Sequence, residues 1–110
     1  MITTDRLQLM LRVADRALAH QIALDEVSEA SRRLAQGYDD FFEEHGRPFE
    51  DSRPINPEVE QFQPVIGATR HLYIARCNAR QAANTAKRKL KLAVRAVERH
   101  DAASTSQEAA

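Results

Sequence analysis

Apolar positions recur in alternating steps of three and four from Met10 to Phe41. Met10, Val13, Ala17, His20, Leu24, Val27, Ser31, Leu34, Tyr38 and Phe41 therefore fall on one side of a helix, spaced as a heptad seam. The stretch 5–44 holds no proline, and its only glycine is Gly37 near the end. It predicts one amphipathic helix, roughly 60 Å long at 1.5 Å per residue. His20 and Ser31 put polar groups on the seam.

A second apolar row, Leu7, Leu11, Ala14, Leu18 and Ile22, lies about a third of a turn from this seam and covers only the first half. Further on, Glu29, Arg32, Gln36 and Glu43 belong in water. The N-terminal half thus wants two neighbours and the C-terminal half one. One reading is a helix that packs on its own chain throughout and on a second copy near its start. The other is a bend near Asp25, although no glycine or proline marks one.

Thr3, Thr4 or Asp5 can cap this helix, since short oxygen side chains accept bonds from its free amides. Its last turns carry Asp39, Asp40, Glu43 and Glu44, where the helix dipole disfavours negative charge, with Phe41 and Phe42 between them. Two readings follow: a solvated end with one phenylalanine in the core, or an aromatic anchor in an acidic rim that expects a basic partner.

Residues 45–56, HGRPFEDSRPIN, read as a linker broken by Gly46, Pro48 and Pro54, with Phe49 and Ile55 tucked against the helices. Asn56, Pro57 and Glu58 look like a new helix start, predicting a short helix over 57–63 that Pro64 and Gly67 interrupt. A second long helix is predicted over 66–100. Its stripe is Ala68, Leu72, Ala75, Ala79, Ala82, Ala83, Ala86, Leu90, Ala93, Val94 and Val97. Small side chains let helix axes approach closely but bury little apolar area. Ile74 and Leu92 fall off the stripe. Residues 101–110, DAASTSQEAA, hold no large apolar side chain and are predicted to be a disordered tail.

The predicted fold is therefore all-α: a single domain over 1–100, two long antiparallel helices with a short helix in the linker. Such a thin pair leaves apolar surface wet, and small domains are marginal. Leu7, Leu11, Leu18 and Ile22 are the expected dimer interface, closing a two-fold helical bundle.

Composition changes this picture little. Sixteen basic and sixteen acidic side chains cancel, so net charge names no partner. One cysteine, Cys77, excludes a disulfide within the chain and favours a reducing compartment. No apolar run approaches the ~20 residues of a membrane span, and MITTDR lacks the regions of a signal peptide. A soluble cytoplasmic protein without membrane attachment is the expectation. Charge is segregated, however. Residues 1–60 hold thirteen acids and seven bases, and residues 61–110 hold three acids and nine bases. In an antiparallel hairpin the acids of the first helix could pair with bases of the second.

The four histidines, His20, His45, His71 and His100, lie far apart and match neither Glu-x-x-His nor His-Glu-x-x-His metal patterns. Cys77 has the basic neighbours Arg76 and Arg80, but no triad partner, phosphate loop or nucleophile elbow accompanies it. No enzyme activity, cofactor or metal is expected. The run KRKLKLAVR offers Lys87, Arg88, Lys91 and Arg95, with Arg99 beyond, as a nucleic-acid face. No aromatic interleaves it and no helix-turn-helix or RNA-binding signature accompanies it, so nucleic acid ranks below a protein partner.

The segments YDDFFEE (Tyr38–Glu44) and RHLYIAR (Arg70–Arg76), set on either side of a proline-containing linker, resemble the small all-helical antiactivators of quorum sensing. Those proteins bind LuxR-type transcription regulators and block them. The resemblance implies a dimer that captures a regulator by protein contact without a cofactor. Tyr38, Phe41, Phe42, Phe49, His71, Leu72, Tyr73 and Ile74 are the expected contacts near the bend. Phe41 and Leu72, lying on the stripes, are the ones most easily lost to the core.

Overall fold

The computed structural model describes residues 3–51 and 53–109, with side chains through Ser106. It is all-α, with no strand among the described residues. Helix α1 spans Thr4–His45 and α2 spans Gln63–Ala109. Among the described residues, no helix is long and apolar enough to cross a membrane.

Local chemistry sets the ends. The Thr3 hydroxyl accepts a bond from the Arg6 amide at 3.1 Å, which satisfies one free donor at the start of α1. The residues around Asp25 are helical like their neighbours. At the far end Gly46 adopts φ 78°, the left-handed conformation that glycine enters without steric cost, and its amide still bonds the Phe42 carbonyl at 2.7 Å.

The expected helix over 57–63 is instead a turn followed by one 3-10 turn, Glu60–Phe62. Asn56 acts as expected for a cap, its side chain accepting from the Glu58 amide at 3.0 Å, but the turn it caps tightens at once. Neither Pro64 nor Gly67 interrupts α2. Pro64 sits in its first turn, where no amide partner is needed, and the helix passes Gly67 unbroken. The predicted tail is also corrected. Helix continues from 101 to Ala109, because the segment is rich in alanine and holds no glycine or proline. Ala110 lies outside the described residues.

The chain divides into two compact units. In the first, Met1–Asp25 with Arg80–Ala110, the helices run antiparallel, and Arg6 donates to Asp101 at 2.9 and 3.3 Å. Among the described residues its buried apolar side chains are the alanines Ala23, Ala83 and Ala93, so this contact is close but buries little apolar area. In the second, Glu26–Ala79, the core is larger: Leu34 and Phe62 are 2% exposed and Val65 1%. Thr69 is buried too, its hydroxyl donating to the Val65 carbonyl one turn back at 2.7 Å.

Both sheltered faces are heptad lines, but not quite those expected. Along α1 the line runs Leu9, Val13, Arg16, His20, Ala23, Val27, Ala30, Leu34, Gly37 and Phe41. It shares every second member with the predicted seam and replaces the others by the residue before. Met10, Ala17 and Leu24 face solvent. Hydrophobicity favours Met10 and Leu24, yet the facing helix selects the line: at Gly37 it presents Leu72 and Thr69, which leave little room for a larger side chain. Along α2 the line is Val65, Thr69, Leu72, Arg76, Ala79, Ala83, Ala86, Leu90, Ala93 and Val97, while Ala68, Ala75, Ala82 and Val94 are exposed. The row Leu7, Leu11, Leu18 and Ile22 therefore lies about half a turn from the sheltered line, not a third.

The expected pairing of α1 acids with α2 bases does not form among the described residues. Glu29 accepts from Arg32 and Arg33 of its own helix, and Asp25 and Asp40 accept from Gln21 and Gln36. Hydrogen bonding from Arg32, above all, holds Glu29 below the usual carboxylate range. Among the described residues only Arg6–Asp101 is an ion pair between α1 and α2.

That pair makes a pH prediction. The Arg6 hydrogen bond lowers the Asp101 pKa. Its contribution is therefore complete above the ordinary aspartate value, about 3.9, and disappears as pH falls through the lowered folded value. Helical 13Cα shifts of residues 101–106 are expected to hold from neutral pH down to about 5 and to decline only below about 4. Asp101→Asn should weaken them already at neutral pH.

Candidate partner-binding cleft

The second unit carries an open cleft of about 940 Å³. Three segments build it. Helical spacing places Tyr38 and Phe42 of α1 one turn apart on one wall. Ile66, Arg70, Tyr73 and Ile74 come from the first turns of α2, and Arg47, Arg53 and Ile55 come from the connecting loop. Tyr73 and Ile74 are 49% and 48% exposed.

Beneath the loop, the Phe49 and Phe62 rings meet edge-on at 5.5 Å between centroids. Phe62 belongs to the buried core, so this contact pins the loop to the unit. Arg53 lies over the Phe49 ring at 3.9 Å and forks onto Asp51 at 2.7 and 2.9 Å. The fork holds Asp51 below the usual carboxylate range and raises Arg53. Arg47 covers Phe42 at 4.9 Å and Arg76 covers Tyr73 at 5.4 Å. Three of the cleft's arginines therefore lie against aromatic rings, as guanidinium planes favour.

The structure gathers Tyr38, Phe42, Tyr73 and Ile74 of the expected contacts into this cleft. It does not gather the other four. Phe41 lies on the sheltered line, 6.1 Å from the Phe42 ring and 4.5 Å from that of His45. Phe49 is under the loop, His71 is exposed away from the cleft lining, and Leu72 packs over Gly37. The charge reading also changes. Asp39 is the one carboxylate in the lining among the described residues, against Arg47, Arg53, Arg70 and Arg76. The rim is basic where one of the two readings of YDDFFEE expected an acidic one, because α1 turns Asp40, Glu43 and Glu44 away from the cleft. Ile55, Ile66 and the four arginines were missed as site residues. For the loop residues, the available signal was an arginine–proline pair on either side of Phe49, Arg47–Pro48 and Arg53–Pro54.

The other expected surfaces lie in the first unit. Leu7, Leu11, Leu18 and Ile22 are 49–65% exposed. Lys87, Arg88, Lys91, Arg95 and Arg99 are all exposed, and the first three border a shallow groove with Gln81, Asn84 and Thr85. Arg88, Lys91, Arg95 and Arg99 share one helix face by spacing. None forms an ion pair among the described residues. His20 and His100 are half-buried along the seam, and Cys77 is a half-buried free thiol.

Comparison with protein-family models, curated proteins and solved structures finds no match.

Proposed function

We infer that this chain is a non-enzymatic binding protein that holds another protein in the cleft of its second unit and works as a homodimer. The observation that carries the reading is the cleft's lining: exposed tyrosine and isoleucine side chains beside arginines stacked on rings. Tyrosine and arginine are the residue types that dominate binding energy at protein interfaces. A transcription regulator of the LuxR type is the partner that the antiactivator resemblance brings forward, with sequestration as the mode of action.

Nuclease-treated pull-down from native lysate tests the capture. One stoichiometric protein is expected to survive nuclease, to be lost with Tyr73→Ala, and to persist when Lys87, Arg88 and Lys91 are changed to alanine. The homodimer rests on the exposed row of α1. Leu11→Glu with Leu18→Glu should convert a dimer to a monomer in sedimentation at micromolar concentration while far-UV circular dichroism stays helical. A wild-type protein that sediments as a monomer there ends the dimer reading.

A second reading is supported by the unpaired stripe Arg88, Lys91, Arg95 and Arg99: a nucleic-acid-associated protein that contacts phosphates. Steep loss of binding with salt, abolished by alanine at Lys87, Arg88 and Lys91, would mark it.

A further inference from the structure

Three guanidinium groups of the cleft, Arg47, Arg70 and Arg76, have no carboxylate partner among the described residues, whereas Arg53 is occupied by Asp51. The Arg76 Nε atom is shielded from water and makes no hydrogen bond. A guanidinium lying over a ring offers its edge donors to a carboxylate, which it can grip with two bonds. Between these groups lies an apolar floor with Ile55, Ile66, Tyr73 and Ile74.

We propose that the occupant of the cleft is a short acidic segment of the partner protein, with one large apolar side chain on the isoleucine and tyrosine floor and flanking carboxylates on Arg70, Arg76 and Arg47. The argument is charge complementarity. One carboxylate, Asp39, faces three unpartnered cations, so a basic segment is repelled and a neutral one leaves the cations without partners. The aliphatic part of the floor favours a peptide side chain over a stacked base, which wants aromatic faces. This assignment rests on the capture reading and adds the chemistry of what is captured.

The test is selection of random twelve-residue displayed peptides on the immobilised full chain. Enriched peptides are expected to carry aspartate or glutamate flanking Leu, Ile, Phe, Tyr or Trp. A fluorescein-labelled copy of the best peptide should bind at least ~10-fold more weakly to Arg70→Gln/Arg76→Gln, a difference of about 1.4 kcal/mol. Its Gln/Asn counterpart should show a similar loss on the wild-type chain. Arg70 is exposed, so Arg70→Gln alone should melt like wild type and still weaken binding. Peptides lost with Tyr73→Ala but carrying no acidic bias would overturn the acidic assignment and leave the capture reading standing. Peptides indifferent to Tyr73→Ala would overturn both. A single-stranded DNA 20-mer displacing the peptide, with the same dependence on Arg70 and Arg76, would assign the cleft to a polyanion and also overturn the proposal.

Discussion

Phe62→Ala is expected to destabilise the second unit by about 3–5 kcal/mol, the usual cost of deleting a buried phenylalanine. Phe62 is 2% exposed, so its ring meets almost no water in the folded chain and would leave a cavity behind. The loss compares with a total stability of about 5–15 kcal/mol for a typical domain. The same ring meets Phe49 at 5.5 Å, and Phe49 in turn supports Arg53. Deleting it therefore frees the loop wall as well as the core. Urea unfolding followed by circular dichroism should show a lower midpoint. Tyrosine fluorescence should change even without denaturant, since the chain has no tryptophan and its two tyrosines, Tyr38 and Tyr73, both line the cleft. Phe62→Leu keeps most of the volume and should cost much less. An alanine variant that melts like the parent would mean that Phe62 is not a core residue.

Gly37 makes the second large prediction. A Cβ placed there would sit 2.6 Å from Leu72 Cδ1 and 3.4 Å from Thr69 Cγ2. The first is below van der Waals contact, but Leu72 is flexible and can rotate away. Gly37→Ala should therefore be close to neutral, because alanine gains about 1 kcal/mol of helix propensity against the cost of moving Leu72. Gly37→Val adds two further methyl groups and loses that freedom. It should destabilise by about 1–3 kcal/mol, the range for overpacking. Leu72→Ala should relieve much of the valine cost, so the double-mutant cycle should show a favourable coupling between the two positions. Additive effects would mean that Gly37 and Leu72 do not share the contact.

The two substitutions illustrate what the sequence could and could not say. Heptad periodicity was readable in α1, since a three-and-four pattern needs no knowledge of the partner helix. The choice between Met10 and Leu9, or between Tyr38 and Gly37, was not. Each pair lies on adjacent positions of one turn, and only the shape of the facing helix selects between them. At Gly37 the facing residues are Leu72 and Thr69, and they leave room for a glycine where Tyr38 would collide.

The helical class, the two long helices and the break between them, with Gly46 among its breakers, were legible in the chain. Propensity, capping and periodicity act over a few residues and need no distant contact. The sequence also named four residues of the cleft, Tyr38, Phe42, Tyr73 and Ile74, as aromatic and aliphatic groups near the bend. Tertiary structure alone decided that the cleft is basic. Its charge comes from Arg47, Arg53, Arg70 and Arg76, brought together across the loop and α2, while the nearby acids Asp40, Glu43 and Glu44 turn away. Which charges face one another depends on helix rotation and loop path, and neither is written in the local pattern of the chain.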